Sequence, residues 1–416
     1  MTARPRLRVV AVLLGGRAAF RGSLVLSAPV LLAIWGDPAF APYAVAVGTT
    51  LVLSPLVGSG AEKSAGMLLA RAEAGGAERN SPRVLAAHVT VVVVIASASM
   101  LAAVPLLTRL PGPMDLYVLA ALTNVGFGAV QALVAYWRVL GRPYVDPLSH
   151  STLAVATVVG VLLAAFADAG PQTVLAIQGS VALAVAAGLG LALRHRLARP
   201  RRRDLVVTTR TTVLMGANTL LATAAVSVVF AILAQQGLTT AAGQLYVAIV
   251  GYTVVANLFD YLLRVFQPWL AVRLADGGPA MVRTAGQVAR FSLLALVPLA
   301  VGAVLMSNRW VSGTAEALLV VAAVTPALLA AAALVWLLEN LDHATLLGTV
   351  LAGILGLLTT VIAGWVLLPS SPVAGSALVL LAGAAVTTAA LLPMLRRRVS
   401  NVLVGQPLLS TLGRRS

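Results

Sequence analysis

The 416-residue chain is 60% hydrophobic and 10% charged, where a soluble globular chain carries about 25% charged residues. Its many apolar runs of membrane-spanning length exclude a soluble enzyme or binding module and specify an all-α polytopic membrane protein. A net charge of +16 would suggest a nucleic-acid partner in a soluble chain. Here the arginines lie between apolar spans, so they report topology and attraction to membrane lipid headgroups, with no nucleic acid.

The first eight residues are short and basic, and the apolar run that follows lacks a small-residue cleavage site, so it reads as a retained first helix. Twelve spans are expected, six in each half. The first half holds Val9–Trp35, Tyr43–Leu69, Val84–Leu107, Leu116–Leu140, Ser149–Ala167 and Gln172–Leu193. The second holds Thr211–Gln235, Gln244–Leu270, Val288–Met306, Ala315–Leu338, Thr345–Leu368 and Val373–Leu395. Breakers punctuate them, as at Gly36-Asp37-Pro38, Pro111-Gly112-Pro113 and Gly170-Pro171.

Arg17 and Arg21 interrupt the first span four residues apart, on one face. If the helix starts at Val9, they lie roughly 12 and 18 Å along it. An arginine facing lipid near the bilayer centre costs about 2.5–3.5 kcal/mol on insertion scales. Arg21 is therefore expected to face a wet interior, and Arg17 to join it or snorkel to the inner surface. The alternative, a surface helix as far as Phe20, leaves too short a span before Gly36.

Gly58-Ser-Gly60-Ala-Glu62-Lys63-Ser64 resembles a phosphate loop. It lacks the glycine before the lysine and follows a helix instead of a strand, so it fails the context that motif needs. Glu62 and Lys63 are placed at the inner end of the second span. His150, near Asp146, reads as a satisfied interfacial histidine. Asn124, Gln131, Gln178, Asn218, Asn257 and Gln267 read first as interhelical hydrogen-bonders, with Asn218 and Asn257 as secondary cavity candidates.

Near the midpoint stands Arg194-His-Arg-Leu-Ala-Arg-Pro-Arg-Arg-Arg-Asp204, the densest charge in the chain. Arginine-rich loops stay cytoplasmic. With this loop inside, the even loops and both termini collect nearly all the arginines. The odd loops carry only Arg109 and Arg309. An odd number of spans would scramble that bias. The organisation expected is an N-terminal six-helix lobe (1–193), a basic cytoplasmic linker (194–210), a C-terminal six-helix lobe (211–395) and a cytoplasmic tail (396–416). The protein is placed in the inner or plasma membrane with both termini cytoplasmic.

The halves share a feature. Tyr43, Gly48 and Thr50 open the second span, and Tyr246, Gly251 and Thr253 recur at the same offsets in the eighth. A repeat of this kind predicts equivalent places for the two tyrosines and a transporter cavity between lobes. In the eighth span Asp260 precedes Arg264 by four residues, the favourable order for an intrahelical pair. That pair is either self-neutralising or part of a polar cavity wall, with Asp260 a candidate proton or sodium site.

Gly243-Gln-Leu-Tyr246, with Pro268-Trp269 at the far end of the same span, resembles the second-half entry of the polysaccharide-exporter branch of the MOP flippase superfamily, the Wzx-type and MurJ-type lipid-linked saccharide flippases. Gly36 and Tyr43 repeat the feature in the first half. The basic loop after the sixth span and the arginines of the first span fit as well. MurJ-type members have two further helices that are not found here. The resemblance implies a flippase that moves a lipid-linked saccharide or similar anionic amphiphile by alternating access. By placement, Arg17, Arg21 and Arg264 become substrate-binding residues and Asp260 the ion-coupling residue. Guanidinium suits such a substrate because it pairs bidentately with phosphate oxygens.

No catalytic residue, metal site or cofactor is expected. Glycan-assembly enzymes are the partners such a role would bring. Two alternatives remain. One is a small-molecule or drug exporter of the same superfamily or a major-facilitator transporter, although Ala70-Arg71-Ala-Glu73-Ala-Gly75-Gly76 matches the latter's loop poorly. The other is a polytopic enzyme of glycan assembly, which would need a larger outward loop.

Overall fold

A computed structural model describes residues 7–69, 81–110, 112–275, 312–339 and 343–403. Among them every regular element is helical. The helices are α1 (Leu7–Thr50), α2 (Leu53–Ser64), α3 (Ser81–Leu107), α4 (Met114–Val139), α5 (Val145–Phe166) and α6 (Pro171–Leu193). They continue as α7 (Arg202–Gln235), α8 (Thr239–Ala275), α9 (Ser312–Glu339), α10 (His343–Leu367) and α11 (Pro372–Leu403). Eleven of the twelve expected spans fall on these helices. The remaining one, Val288–Met306, lies outside the described residues.

α1 is two spans in one element. Its 44 residues would reach roughly 66 Å as a straight helix, twice a hydrocarbon core. Gly36 breaks it, with φ 65 and ψ 173, a backbone conformation that glycine adopts without a Cβ clash. Pro38 follows and cannot restore the interrupted hydrogen bond. The second span is completed by α2 and a π-helical turn, Ala65–Leu69.

Two boundaries differ from expectation. α5 starts at Val145, which draws Asp146 into its first turn. An acid is favoured there by the exposed amides of a helix N-terminus. α7 starts at Arg202, inside the basic linker, because the Asp204 carboxylate accepts the Arg201 amide at 3.1 Å and caps the helix.

The halves meet along two seams. α2 lies against α7 at near backbone contact, where a Cβ on Gly60 would run into the Thr212 carbonyl oxygen. Further along, the Ser227 hydroxyl donates to the Gly48 carbonyl at 3.0 Å and accepts the Val52 amide at 3.1 Å. The second seam joins α1 to α8 through buried Phe40, Tyr43 and Tyr246. Tyr43 and Tyr246 stand edge to face with centroids 5.9 Å apart, and Phe230 of α7 packs on Tyr246 at 6.3 Å.

The loops at one end of the bundle are tied together. Ala198 of the linker donates its amide to Pro82 of α3 at 3.3 Å. Arg142 and Arg196, from two different loops, both lie over the ring of Trp137. The arginine-rich segments therefore share one face, and the aromatic seam lies near the opposite end.

Candidate functional site: a cavity closed by tyrosines and floored by buried charge

Between the seams lies a cavity of about 200 Å³, walled by α1, α4, α5, α6, α7 and α8. Tyr43, Phe230 and Tyr246 line it at the end remote from the basic loops. Arg17, Arg21 and Gln131 line it near the basic end, with Asp260 on the α8 wall. Asn124 and Gln178 supply polar groups between. Gln178 is buried, and its Nε2 has no hydrogen-bond partner among the described residues.

Arg17 does not stand alone. Its Nη2 lies 2.9 Å from Oε1 of Glu62 and 3.1 Å from Oδ2 of Asp146, and its Nε donates to Oδ1 of Asp146 at 3.3 Å. Arg138, in the last turn of α4, holds the same two carboxylates: Nη2 contacts Glu62, and Nε lies 3.2 Å from Asp146 Oδ2. Gln131 donates to the second oxygen of Glu62 at 2.7 Å. The Nδ1 of His150 lies 2.8 Å from Asp146 Oδ1. Two guanidiniums thus balance two carboxylates in a four-helix knot of α1, α2, α4 and α5.

This arrangement follows from burial. The Asp146 side chain is 0% exposed and that of Glu62 4%. Carboxylates removed from water need full pairing and saturated hydrogen bonding. Two forked arginines and an amide donor provide it. Glycines let the helices close around the charges: a Cβ on Gly58 would strike the Gly128 carbonyl oxygen, and one on Gly16 would strike Pro147.

Arg21, one turn above Arg17, is different. Among the described residues it pairs with no carboxylate, and its guanidinium lies 5.7 Å from the centroid of the Phe20 ring. Asp260 lines the same cavity from α8. Arg264 follows it by one turn on that helix, but its side chain lies outside the described residues. Of the four residues singled out from sequence, three therefore share one cavity.

Glu62 was placed at the inner end of the second span; its side chain is buried there, paired with Arg17 and Arg138. Arg138 was not singled out, and Asp146 entered only as a neighbour of His150. Asn218, a secondary cavity candidate, directs its amide to Thr349 of α10 at 2.8 Å. Asn124 likewise bridges to Thr50 at 3.0 Å. The side chain of Asn257 lies outside the described residues.

No protein-family model and no curated protein matches the chain by sequence. Solved structures do match in shape. The lipid II flippase MurJ in an inward closed conformation superposes with a TM-score of 0.67 at 12% identity, covering 96% of this chain and 91% of that one. The chain shares the fold of that structure. An inward-facing multidrug-resistance MATE transporter of the MOP superfamily gives 0.64 at 10% identity over 98% and 97%. The Vibrio cholerae MATE transporter VcmN gives 0.52 at 15% identity over 96% and 98%. Nine helical stretches among the described residues are long and apolar enough to cross a membrane, and the solved structures the chain resembles are transporters and a flippase. At these identities the likeness fixes the fold, while the cargo must be argued from the cavity.

Proposed function

We propose that the protein translocates a lipid-linked saccharide, or an anionic amphiphile of that kind, by alternating access through this cavity. The observation that carries the reading is the charge balance of the cavity wall. Arg17 is neutralised by Glu62 and Asp146, while Arg21 lines the cavity and makes no ion pair among the described residues. A guanidinium in a largely apolar chamber matches a phosphate-bearing headgroup. The hydroxyl, amide and aromatic groups above it suit a sugar. Arg17 then acts as a positioning residue that sets the electrostatic floor, and Arg21 contacts the substrate. Arg264, whose side chain lies outside the described residues, is assigned as a further substrate-binding residue, and Asp260 takes the coupling ion.

In this reading the six-helix halves, 1–193 and 211–395, are the rocking lobes. The basic face is cytoplasmic, in the inner or plasma membrane. Tyr43, Phe230 and Tyr246 close the cavity on the face remote from the basic loops. Glycan-assembly enzymes would supply the cargo. The MATE likeness supports a second reading, a drug exporter that uses Asp260 for a cationic substrate; Arg21 would repel such a cation.

The decisive experiment is translocation in proteoliposomes of a fluorescent polyprenyl-diphosphate saccharide and, separately, of a cationic dye. Arg21→Ala should reduce lipid translocation at least tenfold and Arg21→Lys much less. Dye export without lipid translocation in the unaltered protein would overturn the proposal in favour of the exporter.

A further inference from the structure

We infer that the basic face carries a built site for the phosphate of an anionic phospholipid, formed by Arg142, Arg196 and Trp137. This inference is independent of what the cavity transports. The Arg142 and Arg196 guanidinium carbons lie 5.5 Å and 6.0 Å from the centroid of the same indole ring. They come from different loops, one after α4 and the other after α6, so the fold brings two like charges together that the sequence keeps apart. Cation–π attraction holds each in place. It does not cancel their mutual repulsion, and among the described residues neither pairs with a carboxylate. Two exposed guanidiniums gathered on one indole would serve as a receptor for one phosphate accepting from both forks.

The indole adds a second, separate observation. Trp137 is 5% exposed, and its Nε1 has no hydrogen-bond partner among the described residues. A buried N–H without a partner is costly. A phosphate oxygen drawn in by the arginine pair would give it a partner.

The surroundings favour a lipid over a soluble anion. Trp137 ends a membrane span, the depth at which tryptophan accumulates at the headgroup level. Leu148 in the first turns of α5 and Leu191 in the last turn of α6 are 70% and 62% exposed, and they offer aliphatic surface one to two turns along the chain from the arginines. A basic pocket between helix ends on the arginine-rich face is where anionic lipid headgroups bind. The bound phosphate would clamp the linker between the halves to the α4–α5 loop. Arg138 is next to Trp137 in sequence, so the clamp sits directly beneath the buried charge knot.

The test uses the fluorescence of Trp137, taken as the difference between the full-length protein and its Trp137→Phe variant in nanodiscs. Brominated phosphatidylglycerol should quench this signal at least twofold more than brominated phosphatidylcholine at equal mole fraction. The excess should vanish in Arg142→Ala/Arg196→Ala, while quenching by brominated phosphatidylcholine stays unchanged and shows that the variant folds. In the unaltered protein alone, the excess should also fall between about 0.1 M and about 1 M salt, as the Debye length drops from roughly 10 Å to roughly 3 Å. Equal quenching by the two lipids, or an excess that survives the double substitution, overturns the site. Displacement of the brominated phosphatidylglycerol by millimolar inorganic phosphate overturns its assignment to a lipid.

Discussion

Asp146→Asn should be among the most damaging isosteric changes in the chain, and removing a second charge should partly repair it. In the unaltered protein the Asp146 carboxylate is 0% exposed and contacts Arg17, Arg138 and His150. Asparagine keeps the shape and loses the charge. Arg17 and Arg138 are then left with Glu62 alone, a net positive charge inside the bundle. Breaking a buried ion pair from one side costs about 3–5 kcal/mol. The side chains of Arg17 and Arg138 retain 18% and 24% exposure, so some water reaches the surplus charge and the lower end, about 3 kcal/mol, is expected. Adding Arg17→Met restores neutrality, with Arg138 and Glu62 as the surviving pair, and keeps a long side chain in the space. The double variant should therefore recover at least about half of the loss, a coupling of roughly 1.5 kcal/mol or more, within the range that contacting residues show. Thermal unfolding in detergent of the four proteins of this cycle gives the coupling as a difference of differences. Additive losses, with the double variant worse than either single one, would refute the picture of a closed electrostatic unit.

Two further outcomes follow from the architecture. A side-sensitive reporter placed at residue 200 should label from the cytoplasm and one at residue 310 from outside; an external signal at residue 200 would overturn the whole topology. Because the chain contains no cysteine, Tyr43→Cys/Tyr246→Cys can be bridged without background by a short bis-methanethiosulfonate, which forms a disulfide at each cysteine and releases methanesulfinate. Bridging should abolish translocation, reductive release should restore it, and undiminished transport by the bridged protein would show that the aromatic seam is not a gate.

The spans were legible because the membrane writes them directly into composition. Each needs about twenty apolar residues, and the arginines left over mark the loops. Gly36 was legible as a break because Gly36-Asp37-Pro38 joins a residue free to take a positive φ to one that cannot donate a helical hydrogen bond. The buried charges were not legible, and the cause is positional. Glu62 and Asp146 stand near the ends of their spans, where a carboxylate looks solvated. Only the folded arrangement shows that α1 brings Arg17 alongside both. A signal was present. Glu62 follows Gly58 and Gly60, small residues that permit close helix approach, and such closeness excludes the water a span-end carboxylate would otherwise keep. Arg138, adjacent to Trp137 at the end of α4, carried the matching hint.

The charge knot also explains why two arginines one turn apart have different fates. Arg17 lies at the level of Glu62, Arg138 and Asp146, and the four helices converge there tightly enough for glycine contacts. Arg21 lies a turn further from the basic end, where the walls separate into the cavity and the nearest described cation–ring contact is Phe20 on its own helix. A single arginine at that depth would be costly against lipid. With Arg17 already neutralised below it, Arg21 meets less repulsion from its own helix and can remain charged inside the chamber. The carboxylates that hold Arg17 therefore set the availability of Arg21. For this reason substitutions at Glu62 or Asp146 belong in any study of what the cavity binds.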